Sequence, residues 1–183
     1  MNGPQVTPYK IAEALKKRME SKSLEKITVT EILEEAQVSR PTFYRYFKDK
    51  YDLVNWYFQK LCDKSFLQMG ISMNLREALT KKFIFLKSEQ VFFEAAFACE
   101  AQNNLVEYDY ECIYRFYSDY IRKQGEVEFT PEIEFLLKMY CRGSIDMTAD
   151  WARNGMTIRP EQIVGWLIEA MPEKLHDLFR NLE

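Results

Sequence analysis

Apolar residues recur along this chain with the period of an α-helix and almost nowhere with the two-residue alternation of a strand. Thr7-Pro8 reads as an N-cap followed by proline at the first helical position. Ile11, Ala14, Leu15 and Met19 then mark a buried face that ends near Ser21. Thr28 and Glu31 have the spacing of a capping box ahead of a short helix through Ala36. Ser39 caps a second short helix, Arg40 to Phe47. Asp49 caps a long one, from Lys50 to about Met69, with Gly70 as its closing residue. Beyond it the pattern predicts helices over 75–87, 89–101 and 105–124, the last closed by Gly125. Thr130-Pro131 repeats the cap–proline start, for a helix that ends at Asn154-Gly155. Pro160 opens a final helix, and Pro172 falls inside it. A mid-helix proline lacks the N–H donor and crowds the preceding turn, so a kink or break is expected near Ala170. The sum is an all-α chain of about nine helices.

The segment from Thr28 to Lys50, TVTEILEEAQVSRPTFYRYFKDK, holds two short helices joined by a tight turn at Gln37-Val38-Ser39. That is the arrangement of a helix-turn-helix, whose second helix enters the DNA major groove. Phe43 and Phe47 lie four apart and pack inward against Ile32. Thr42 and Arg45 project from the opposite face toward base edges, and an arginine can hold guanine O6 and N7 together. Arg40 and Pro41 occupy the first turn, nearest the groove floor, where proline displaces no intrahelical bond. Tyr44 and Tyr46 flank the groove face, with hydroxyls in reach of phosphate. Lys50 adds a phosphate-directed charge beside the amides that open the next helix.

Charge sharpens this picture. Residues 1–58 carry ten Lys/Arg against eight Asp/Glu, and the remainder fifteen against twenty, within a net charge of -3. The basic excess is concentrated at residues 37–50, with four Lys/Arg and one Asp. A mildly basic head on an acidic body suits a protein that touches a polyanion with one end only. Lys16-Lys17-Arg18 could add phosphate contacts, although a solvated helix face is the better reading there.

The run VSRPTFYRYFKDKYDLV closely resembles the DNA-binding signature of the TetR family, over roughly residues 8–58. By this resemblance Arg40, Pro41, Thr42 and Arg45 contact bases, Thr30 on the preceding helix reaches a base, and Tyr44, Tyr46 and Lys50 contact phosphate. Gln37 departs from the pattern, since many members have glycine there. A positive φ at that turn would cost glutamine about 1 kcal/mol. The body is more loosely similar to TetR regulators of Gram-positive bacteria, through Asp146 to Met156 (DMTADWARNGM) and the trailing Met171-Pro172. One subgroup of these acts as activators with a protein coregulator.

The helix over 105–124 is apolar on two faces and therefore central in its domain. Its tyrosines Tyr110, Tyr114 and Tyr117, with Phe85, Phe93, Phe97, Met147 and Trp151, are candidates to line a ligand pocket. Plain core packing is the better reading for any one of these tyrosines alone. Four cysteines lie far apart without metal-ligand spacing and read as small core residues of a reduced compartment, the cytosol. His176, the single histidine, reads as a surface or dimer-contact residue. No nucleophile–base set accompanies it, so neither catalysis, a cofactor nor a metal is expected. No apolar run has the length of a membrane span and the first residues hold no signal-peptide stretch.

These readings converge on a head, residues 1–48, that binds double-stranded DNA, and a regulatory and dimerisation body, residues 49–183. The expected protein is a homodimeric transcriptional regulator released as a repressor from a palindromic operator by a small-molecule effector. The alternative is an activator controlled by a protein coregulator. Helices 131–154 and 160–181 are expected to pair with their copies, with Gly143, Ser144 and Ala149 small enough for close approach. A helical enzyme, or an interaction module without DNA affinity, is the rival from another class.

Overall fold

The computed structural model of the chain describes residues 6–65, 68–101, 104–124 and 128–179. Among them are ten α-helices: α1 (Val6–Met19), α2 (Val29–Ala36), α3 (Arg40–Tyr46), α4 (Lys50–Cys62), α5 (Leu75–Ser88), α6 (Gln90–Phe97), α7 (Leu105–Gln124), α8 (Pro131–Arg153), α9 (Pro160–Glu169) and α10 (Glu173–Phe179). A single 3-10 turn, Leu24–Lys26, separates α1 from α2. The all-α class expected from the periodicity is the class observed.

Four helix starts are made by cap residues that the sequence nominates. Thr28 Oγ1 accepts the Glu31 amide at 3.3 Å, and the Glu31 carboxylate accepts the Thr28 amide at 2.7 Å, closing the capping box. Ser39 Oγ accepts from the Thr42 amide, Asp49 from the amides of Tyr51 and Asp52, and Thr130 Oγ1 from Ile133. Each bond satisfies a first-turn donor that has no partner inside the helix. The turn between α2 and α3 places Gln37 at φ 51°, ψ 48°. This is the left-handed conformation that glycine adopts freely, so glutamine holds it at a cost of about 1 kcal/mol.

Three boundaries differ from expectation. α1 already includes Val6, so Thr7 and Pro8 lie within its first turn and Thr7 is not its cap. α4 stops at Cys62, not near Met69. Its end tightens through Lys64 N to Leu61 O and Ser65 N to Cys62 O, while Ser65 Oγ bonds back to Leu61 O at 3.0 Å. Three amides, of Ile71, Ser72 and Met73, then converge on the Gln68 carbonyl, and Gly70 uses its φ of 74° in that bend instead of at a helix end. α6 ends at Phe97, whose carbonyl accepts from Arg153 Nε of α8 at 3.0 Å. The break near Ala170 is real: α9 ends at Glu169 and α10 starts after Pro172. Gly125, expected to close α7, lies outside the described residues.

The head buries Ile11, Leu15, Leu24, Ile27, Ile32, Phe43 and Phe47 between α1, α2 and α3. α4 carries this core onward. Its Trp56 meets Phe47 edge-on with ring centroids 5.4 Å apart, and its Phe58 meets Phe93 of α6 at 6.2 Å. A polar contact reinforces the junction: Lys16 Nζ of α1 lies 2.7 Å from Glu89, and Tyr57 OH of α4 donates to the same carboxylate at 3.0 Å. In the body α7 packs on α8, α6 on α8 and α5 on α9. A buried polar contact joins α5 to α7, where Lys82 Nζ bonds both oxygens of Asp109 at 2.8 and 2.6 Å.

Candidate nucleic-acid interface

α3 is seven residues long and is held from below. Phe43 and Phe47, at 0% and 2% exposure, fix its inner face in the head core, with ring centroids 5.7 Å apart. These two residues are four apart and share the inner face, so Tyr44 and Arg45 turn outward, while Tyr46, three residues after Phe43, packs partly against the core. Arg40, Pro41, Tyr44 and Arg45 are exposed and Thr42 and Tyr46 half-buried, so α3 offers one polar, basic face.

The contacts on that face order it before any ligand arrives. Arg40 Nη2 donates to Thr30 Oγ1 at 3.1 Å, which brings the α2 and α3 candidates into one patch. Thr42 Oγ1 lies 2.8 Å from Ser39 Oγ. Arg45 Nη2 donates to Tyr46 OH at 3.3 Å, and its guanidinium lies 5.0 Å from the Tyr46 ring centre. Tyr44 rests edge-on against Phe43. These weak contacts limit the rotamers open to two long cations, which lowers the entropy lost on docking.

Lys50 is placed differently. Its ammonium donates to the carbonyls of Glu25 and Ile27, both at 2.7 Å, and so binds the end of the 3-10 turn to the start of α4. Burial pulls its pKa below the ordinary lysine value. The adjacent amides of Tyr51 and Asp52 are already taken by Asp49. The expected pairing of a free Lys50 charge with free helix-start amides is therefore not what the structure presents. Lys48 is the exposed cation at this junction. It lies in the same basic run as Arg40 and Arg45. The Lys16-Lys17-Arg18 cluster is also engaged, with Lys16 on Glu13 and Glu89, and Lys17 and Arg18 on Glu35.

The eight residues expected around a ligand pocket are not brought together. Phe93 and Phe97 are fully buried in a ring cluster with Phe92 and Phe85, the last of these half-buried. Tyr117 is buried against Phe179 at 4.6 Å. Trp151 packs on Phe83 and donates its indole N–H to the Ile158 carbonyl. Tyr110 and Tyr114 stack on each other, with Arg142 lying 3.5 Å from the Tyr110 ring centre. Met147 is 53% exposed. None of the eight lines the cavities formed by the described residues beside α4, α5, α7 or the α5–α6 junction. The void beside α7 lies on its other apolar stripe, at Cys112, Phe116 and Tyr120. His176 is half-buried and its Nε2 lies 3.0 Å from the Ile168 carbonyl, so it bridges α10 to α9.

Comparison with known proteins gives two matches along the chain. Residues 11–56 match the model for bacterial regulatory proteins of the tetR family. Residues 73–173, more than half of the chain, match the model for a transcriptional regulator C-terminal region of that family. The chain belongs to the TetR family. It is thus a DNA-binding transcription regulator, and α2 and α3 are its helix-turn-helix.

Among curated relatives, this TetR-family chain is 26% identical over 95 residues to the HTH-type dhaKLM operon transcriptional activator DhaS of Lactococcus lactis subsp. lactis (strain IL1403). That match covers 52% of this chain and spans about half the length, 51%, of the relative. Among solved structures, a dihydroxyacetone kinase operon activator DhaS superposes with a TM-score of 0.64 at 19% identity, covering 97% of this chain and 98% of the other. A tetR-family transcriptional regulator from Streptomyces coelicolor gives 0.55 at 18%, covering 99% and 90%. The TetR family repressor AlkX from Dietzia sp. strain DQ12-45-1b gives 0.54 at 18%, covering 96% of each chain. At these identities the structural likeness establishes the fold.

Proposed function

We propose that this regulator acts in the cytoplasm as a homodimer on a near-palindromic operator, as a repressor that a small molecule bound in the body releases. The observation that carries the DNA-binding part is the outward basic face of α3, built on two buried phenylalanines. On this reading Thr30, Arg40, Pro41, Thr42 and Arg45 meet base edges, and Tyr44, Tyr46 and Lys48 meet phosphate. Lys50 acts chiefly by fixing the 3-10 turn against α4, with one N–H left for a phosphate. A two-turn helix reads only a few bases, so two heads about one DNA turn apart, roughly 34–36 Å, are needed for useful affinity. Release follows when effector binding moves α4 and changes that separation.

The dimer reading is supported by an apolar stripe on α8. Phe135, Met139 and Met147 are each more than half exposed, and Trp166 of α9 is 50% exposed. Gly143 completes the four-residue spacing of the stripe, and a Cβ there would meet nothing within 4 Å in one protomer. Ser144 and Ala149, expected to be small residues of the same interface, are instead buried inside the protomer. Their size serves packing of α8 within its own chain.

Gly143→Trp is therefore the substitution that tests the interface without disturbing the protomer. The new side chain appears twice across a two-fold axis. Overpacking costs about 1–3 kcal/mol at each site. Sedimentation should show a wild-type dimer at low micromolar concentration, a Gly143→Trp protein shifted toward monomer, and a parallel loss of operator affinity. A variant that stays dimeric and binds DNA normally would place the interface elsewhere. A second reading, an activator that works with a protein coregulator, is favoured by the half-length match to an operon activator. The sign of a reporter's response on deletion of this chain separates the two.

A further inference from the structure

A cavity of about 400 Å³ opens between the C-terminal end of α4, the bend at Met69–Ile71 and one face of α7. That is within the size range of small-molecule sites, roughly 300–1,000 Å³. Its walls are apolar, with Met69, Cys112, Ile113 and Phe116 turned toward it. Its rim is charged. Arg115, Asp119 and Lys123 all line it, all are exposed, and the four-residue spacing puts them along one edge of α7. The rim thus sets two cations against one carboxylate.

Deeper in, the cavity reaches Asp109. Both oxygens of this carboxylate accept from Lys82 Nζ, and the two side chains are 1% and 2% exposed. The pair is matched internally. An ammonium brought in by a ligand would have to displace Lys82 from a buried ion pair, which is strongly unfavourable. The interior therefore offers no opening for a cation, and the excess positive charge at the rim sets the sign of the partner.

We propose that this cavity binds a small organic monoanion, a carboxylate whose apolar part lies against Met69, Cys112, Ile113 and Phe116 and whose charged group meets Arg115 and Lys123. The assignment rests on the reading that a small ligand in the body controls DNA binding, and it gives that ligand a place and a chemical class. Gln59 supplies the route to the head. It sits on α4, which begins at Lys50 directly after α3, and its side chain lines this cavity and a neighbouring one that extends to Lys48, Asp49 and Asp52. Its Oε1 accepts from Tyr108 OH at 2.8 Å and from Cys112 Sγ at 3.7 Å, and its Nε2 donates to Asp63 at 2.9 Å. A ligand pressing on Cys112 acts on one end of this bridge, and the other end is the helix that carries the reading head.

Calorimetric titration of the DNA-free protein with octanoate, octanol and octylamine tests the class. Octanoate should bind saturably, once per protomer, and at least about tenfold more tightly than the neutral or cationic chain of the same length. Reversing both exposed cations, Arg115→Glu with Lys123→Glu, should weaken octanoate by about tenfold or more without touching the core. Cys112→Trp should fill the cavity and abolish the heat. If that variant fails to fold, the surface pair still decides. The proposal is overturned by absence of saturable octanoate binding, by equal affinity for octylamine or octanol, or by wild-type affinity in the charge-reversed protein. Because no DNA is present, a negative result leaves the operator-binding reading intact, and failure of operator binding leaves this result intact.

Discussion

Asp109→Ala is expected to destabilise the protein by about 3–5 kcal/mol, the usual cost of removing one partner from a buried ion pair. Lys82 and Asp109 lie 27 residues apart, on α5 and α7, with 2.6 and 2.8 Å contacts and almost no exposure. Burial pushes the Asp109 pKa upward, while the Lys82 ammonium beside it pulls it back toward the charged form. The Phe58 ring lies 5.3 Å from Lys82 Nζ and adds a weak cation–π contact. Removing the carboxylate leaves an ammonium without its counterion in the core between α4, α5 and α7. For a chain of this size each kcal/mol moves the unfolding midpoint by roughly 2–4 °C, so a loss of about 6–20 °C is expected. Replacing both members, Lys82→Met with Asp109→Leu, removes the desolvation penalty with the attraction and should recover most of that loss. Thermal unfolding of the three proteins checks this. A single mutant within about 1 kcal/mol of wild type would mean that water reaches the pair.

Duplex affinity should fall by roughly 10³ or more between 50 and 200 mM salt, as it does for proteins that make about 6–10 phosphate contacts. The groups set for phosphate on each head are Lys48 and the remaining N–H of Lys50, with the hydroxyls of Tyr44 and Tyr46. Two heads bring these phosphate contacts to about eight, within that range. Lys16, Lys17 and Arg18 add little, because Glu13, Glu89 and Glu35 already neutralise them. Anisotropy of a labelled duplex across the salt series measures the slope. A flat response would remove the electrostatic part of the binding account.

The head was legible because its signals are local. The Thr28–Glu31 box, the Ser39 cap and the Phe43–Phe47 spacing all act within one turn of helix, and each is seen in the structure. Even the strained Gln37 follows from its position at a turn that requires positive φ. What escaped was set by distant partners. Lys50 reads as a surface cation until the 3-10 turn, 25 residues earlier in the chain, places two carbonyls over its ammonium. Helical periodicity runs on past Cys62, and α4 ends there through backbone bonds and the bend around Gln68 that no propensity announces. On α7 the two apolar stripes look alike in sequence. Packing against α8 and α10 fills the stripe of Tyr117 and leaves the void on that of Cys112 and Phe116.

Selection of bound duplexes from a random-sequence library, run in parallel on wild type and Arg45→Ala, tests most directly whether α3 is the reading element of a two-headed regulator. The wild type should enrich a two-fold-related site with half-sites about one helical turn apart. Arg45→Ala should keep that symmetry and spacing while relaxing one or two positions in each half-site by about 1–3 kcal/mol each. Enrichment without two-fold symmetry, or an Arg45→Ala preference identical to wild type, would contradict the account.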